Sequence, residues 1–99
     1  MGYDIESKIE QRFRKKIQAM GGRCFKWVSP GNDGVPDRIV VMPGGRIYFV
    51  ELKRSNDSSL RKVQEYQTES LSRLGCDVTV AYGEEGIKLF LERIGSNEV

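Results

Sequence analysis

Apolar residues recur over the first twenty positions at helical spacing: Ile5, Ile9, Phe13, Ile17 and Met20. Asp4 is the candidate cap of this helix, and Gly21-Gly22 ends it. "RCFKWVS" then alternates loosely as a strand, with Cys24, Lys26 and Val28 on one side and Phe25 and Trp27 on the other. "PGNDG" is a loop by its turn residues. Residues 38–42 and 46–53 form a hairpin turning through "PGG". The polar "SNDSS" offers caps for a helix "LRKVQEYQTESLSRLG", on which Leu60, Val63, Gln64, Gln67, Leu71 and Leu74 share a face. "DVTVAY" is a last strand, and "EEGIKLFLERI" a helix turning Ile87, Phe90, Leu91 and Ile94 inward. The order α-β-β-β-α-β-α predicts an α/β fold: a mixed sheet flanked by helices, with an α-β-β-β-α-β core and a C-terminal helix.

The hairpin's register follows from its turn. A loop centred on Gly44 sets Val41 opposite Ile47, Ile39 opposite Phe49 and Asp37 opposite Glu51. With Gly44-Gly45 as the two central residues, Asp37 faces Leu52 instead. Either way Asp37 and Glu51 are direct or diagonal neighbours. Two carboxylates so placed repel unless one is protonated or a cation lies between them. With oxygen ligands, a divalent metal ion is the simplest resolution. Alternation puts Lys53 on the face of Glu51, where an ammonium can stabilise developing negative charge or orient an attacking water.

Each feature has an ordinary reading. Glu-x-Lys is a common surface ion pair, and Pro36-Asp37 a common strand start. Their meeting at one depth on neighbouring strands is the signal. Gln64 interrupts an apolar stripe, so its amide needs partners that the charged cluster could supply. Glu6 and Glu10 flank the apolar face of the first helix, where either could also pair with a base one turn on.

Composition narrows the chemistry. The chain has 99 residues, 38% of them hydrophobic and 30% charged, which suits one globular domain over residues 1–99. It has no histidine, which excludes catalytic triads and His-ligated zinc. Cys24 and Cys76 read as reduced thiols, with a single disulfide the alternative. No apolar run could span a bilayer and no signal-peptide core opens the chain, so the expected location is cytoplasmic, with no membrane partner. Net charge is only +2, but Lys8, Arg12, Lys15 and Lys16 gather on the first helix, and Arg54, Arg61 and Lys62 follow the acidic strand. A basic stripe of this kind is a solvated face or a phosphate-binding surface.

"GVPDRIVV", "YFVELK" and the Leu60–Gln64 "L-x-x-x-Q", in this order, resemble the virus-type replication-repair nuclease domain of the PD-(D/E)xK superfamily. The resemblance covers nearly the whole chain and implies a restriction-endonuclease-like fold and Mg²⁺-dependent cleavage of DNA, with Mn²⁺ substituting. By motif position, Asp37 and Glu51 resemble the metal ligands, Leu52 adds a backbone carbonyl, Lys53 is the motif lysine and Gln64 the helix glutamine. Glu10 is the best match for a first-helix glutamate completing the site, with Glu6 the alternative. Lys26 and Ser29 match a "K-x-x-S" stretch near the phosphate, and Arg38 and Arg54 are further nucleic-acid candidates. The resemblance further implies a homodimer acting on branched DNA such as four-way (Holliday) junctions, in repair, in the host cytoplasm if phage-encoded. The competing readings are a non-catalytic nucleic-acid-binding module, and an RNase or restriction-type enzyme on the same fold. No separate specificity domain is visible, so recognition by shape is expected over recognition of base sequence.

Overall fold

The structure is a computed structural model that describes residues 6–55 and 59–95. Its elements are α1 (Lys8–Ala19), β1 (Arg23–Lys26), β2 (Arg38–Met42), β3 (Arg46–Lys53), α2 (Lys62–Arg73), β4 (Val78–Tyr82) and α3 (Gly83–Gly95). The strands lie in the order β1-β2-β3-β4, the first three antiparallel and β4 parallel to β3. A parallel neighbour needs a crossover, and α2 provides it. The expected element order and mixed sheet are therefore both present.

The hairpin is centred on Gly44: Val41 pairs with Ile47 and Ile39 with Phe49. Gly44 and Gly45 take φ of 86° and 79°, left-handed values that glycine adopts without strain. The Gly45 N–H closes the turn on the Met42 carbonyl at 3.1 Å.

Alternation then divides the sheet. Val40, Met42, Tyr48, Val50 and Ala81 face α1 and α3 and form the core with Phe13, Ile17, Ile87, Phe90 and Ile94. Phe90 organises it, lying 6.0 Å from the Phe13 ring and meeting Tyr48 edge-on at 5.8 Å. Each large apolar side chain so buried contributes about 1.5–3 kcal/mol. The other face carries Ile39, Phe49, Glu51 and Lys53, and α2 covers its charged end through Gln64.

Four local details differ from the sequence expectations. Asp4 and Ile5 lie outside the described residues, and α1 is capped by Ser7, whose Oγ accepts the Glu10 N–H at 3.1 Å while Glu10 Oε1 accepts the Ser7 N–H at 2.9 Å. β1 ends at Lys26, although the Trp27 N–H still reaches the Asp37 carbonyl at 2.9 Å. α2 begins at Lys62, so Leu60 precedes it, and the middle of "SNDSS" lies outside the described residues. Leu74, the C-cap of α2, is 78% exposed rather than part of the core. No helix among the described residues is long and apolar enough to cross a membrane.

Candidate active site

The open end of the β2–β3 hairpin meets the first turn of α2 and the loop 27–37. Together they line a cleft of about 290 Å³ that includes Trp27, Ser29, Asp37, Glu51, Arg61 and Gln64. Continuing the observed register one step beyond Arg38↔Val50 sets Asp37 opposite Glu51. The Asp37 side chain is anchored by the Leu52 N–H, which donates to its Oδ1 at 3.3 Å. Pro36, fully buried just before it, fixes the backbone at this point.

Gln64 joins the other groups. Its Nε2 donates to Glu51 Oε2 at 3.0 Å, while its Oε1 accepts from Lys53 Nζ at 3.1 Å and from the Arg61 backbone N–H at 2.8 Å. Lys53 Nζ also lies 3.6 Å from Glu51 Oε2. The polar break in the apolar stripe of α2 is thus explained: the amide bridges carboxylate and ammonium, and no described buried polar side-chain atom lacks a partner.

The carboxylates are held under electrostatic stress. Burial, and next the charge of Glu51, push the Asp37 carboxyl up to about 7, against relief from the Leu52 N–H and Arg38. Burial also raises Glu51, chiefly opposed by Lys53. Such a pair favours protons or a cation at this end of the sheet.

Alternation turns Arg38 to the α1 side of β2, away from Asp37. Its guanidinium is buried there and pairs with Glu10 Oε2 at 3.0 Å. This departs from the expectation of a nucleic-acid contact at Arg38, which needs an exposed charge. Glu10, the first-helix candidate for a third metal ligand, is the partner of that guanidinium. Glu10 spends one oxygen on Arg38 and the other on the Ser7 N–H, and among the described residues no three Asp, Glu, Cys or His side chains converge. Glu10 does act on Asp37 by charge across the strand. Glu6, the alternative, is clamped by Arg14 through Nε and NH2 at 3.1 and 3.0 Å.

Of the other candidates, Ser29 lines the cleft and accepts from Asn32 Nδ2 at 3.0 Å. Lys26 is exposed on the edge strand, paired in register with Arg38. Arg54 is exposed just past β3. Trp27, Asp33 and Arg61 also line the cleft, and the sequence did not single them out as site residues. Arg61 had one readable signal, a long cation directly before the turn that holds Gln64. The two cysteines are free, and burial lifts the Cys24 thiol to about 11, which makes it a poor nucleophile.

Over 69 residues the chain is 41% identical to "Putative nuclease p44" of Acyrthosiphon pisum secondary endosymbiont phage 1, spanning 70% of each protein. A solved structure described as a VRR_NUC domain superposes with a TM-score of 0.82 at 26% identity, over 88% of this chain and 94% of that one. No protein-family model matches.

Proposed function

The chain belongs to the virus-type replication-repair nuclease family, and from that premise we propose that it is a metal-dependent DNA endonuclease whose active site is the Asp37–Glu51–Lys53–Gln64 cluster. One observation carries the reading: neighbouring strands bring two carboxylates, one raised to about 7, to one end of the sheet with a lysine that a glutamine ties to Glu51. A purely structural cluster would gain more from apolar side chains at this depth.

The donor set suits a hard divalent cation. Asp37 and Glu51 offer oxygen ligands whose mutual repulsion a bound ion removes, and the Leu52 carbonyl follows Glu51 directly in sequence. Mg²⁺, with Mn²⁺ as a substitute, would polarise the scissile phosphate and make a water more acidic. Lys53, held by Gln64 Oε1, then positions that water or stabilises the charge gathering on phosphorus. The water oxygen forms a bond to phosphorus, and the bond to the 3′ oxygen breaks. Glu10 is a positioning residue here, orienting Arg38 behind the strand and tuning Asp37 by charge. The whole of residues 1–99 serves as one nuclease domain.

The substrate proposed is DNA, with branched forms such as four-way junctions preferred, cut by a homodimer. A two-fold enzyme presents two such sites to a two-fold junction. Labelled duplex, flap, single-stranded and four-way-junction DNA incubated with and without Mg²⁺ or Mn²⁺ tests this. Metal-dependent cuts concentrated at the junction are expected. Binding indifferent to EDTA, with no cuts on any form, points instead to a non-catalytic binding module.

A further inference from the structure

Arg61 occupies the N-cap position of α2, where Ser, Thr, Asp or Asn normally offers an oxygen to the first turn. A guanidinium has no acceptor, and its positive charge is unfavourable at a helix N-terminus. Neither helix formation nor packing explains this residue. Its backbone does have a role, since the Arg61 N–H donates to Gln64 Oε1 at 2.8 Å, the oxygen that also takes Lys53. The side chain leans over the cleft mouth to Asp33, with NH1 3.4 Å from Oδ2, and its charge reaches Glu51.

That contact is a weak tether. Both side chains are largely exposed, at 60% and 75%, and one long ion pair in water contributes little. The loop that carries Asp33 is itself well placed: Gln67 Nε2 donates to the Asp33 carbonyl at 3.1 Å, and Gly34 lies against the Val63 backbone. The carboxylate is thus presented to a guanidinium at the rim of a cleft whose floor is Asp37 and Glu51.

We infer that Arg61 is a substrate-phosphate clamp, held by Asp33 until a nucleic-acid phosphate displaces that carboxylate. A guanidinium's planar fork matches two phosphate oxygens, which a single Asp33 oxygen at 3.4 Å does not satisfy. The phosphate served is one next to the scissile group, because the exposed Arg61 stands at the mouth of the cleft and the buried Glu51 lines it more deeply. The inference rests on the nuclease reading and adds a residue to it.

Arg61→Ser separates this role from folding, because serine is among the best caps and should keep or raise the unfolding midpoint. Affinity for a labelled four-way junction would be measured in EDTA across ~50–200 mM salt, and cleavage in Mg²⁺. Expected for Arg61→Ser is binding weaker by roughly fivefold, a log–log salt slope smaller by about 0.9, and a raised KM with kcat little changed. Arg61→Lys should restore the slope but only part of the affinity. Asp33→Asn should tighten binding by releasing the clamp. Wild-type affinity and slope in Arg61→Ser would overturn the clamp, and unchanged affinity in Asp33→Asn would overturn the displacement. A wild-type protein that binds no DNA and cuts none overturns the nuclease reading itself.

Discussion

Val50 and Glu51 are adjacent on β3, and both are buried, the first fully and the second to 6% exposure. The valine faces α1 and α3 among side chains that need nothing but contact. Its neighbour faces α2, with its carboxylate pushed up by burial and held by Gln64 and Lys53. One strand therefore has a face that stabilises the fold and an end that costs stability. On the nuclease reading, the residues there for chemistry are those whose burial the fold would be better without.

The comparison breaks most sharply at Lys53. Lys53→Met should lower cleavage by on the order of a hundredfold to a thousandfold while circular dichroism stays near wild type. On the opposite face, Val50→Ala should cost about 2–3 kcal/mol by urea unfolding, and spare cleavage well below the transition. Reversal of those two patterns would mean the faces have been misassigned.

Gly34→Ala tests the loop that frames the cleft. Gly34 has φ +88°, and an added Cβ would meet the Val63 carbonyl carbon and oxygen at 2.8 Å. A loss of about 1–3 kcal/mol, with a raised KM, is expected from strain and displacement of the loop. Wild-type stability and KM would show that the loop's packing on α2 is unimportant.

A smaller effect should appear with pH in chelator. Asp37 titrates near 7 in the fold against an ordinary value of 3.8, so between those values the folded state binds more protons than the unfolded. Its favourable contribution is complete below the ordinary value and is lost as pH rises through about 7. Metal-free protein should therefore melt at a lower temperature at pH 8 than at pH 5.5 from this group, and Asp37→Asn should flatten that slope. Added Mg²⁺ should recover stability at the higher pH in wild type alone. An unchanged slope in Asp37→Asn would remove Asp37 as its source.

Much of this was legible in the residues because it is local. Two-residue alternation and the glycine turn narrowed the hairpin to two registers, in both of which Asp37 and Glu51 are neighbours, and the fold adopts the one that pairs Val41 with Ile47. Gln64 announced itself as a polar break in an apolar stripe. What escaped depends on where helices lie over the sheet. Arg38 read as a nucleic-acid candidate, yet its side chain is buried on the α1 side of β2 and paired with Glu10. Glu10 read as a metal ligand, and its pairing with Arg38 and the Ser7 N–H was not legible beside that reading. Leu74 read as core, yet it caps the C-terminal end of α2 and is largely exposed. Arg61 was visible only as one member of a basic stripe, because its partner Asp33 lies 28 positions away in the sequence.

The central claim is that the charged end of the hairpin is a cation-dependent nuclease site. Its most direct test is Mg²⁺ titration of junction cleavage by wild type and Glu51→Gln, with thermal unfolding of both in parallel. Wild type should cut only with metal, while Glu51→Gln should cut at no metal concentration and melt at or above the wild-type temperature. Cleavage by Glu51→Gln at the wild-type rate would contradict the account.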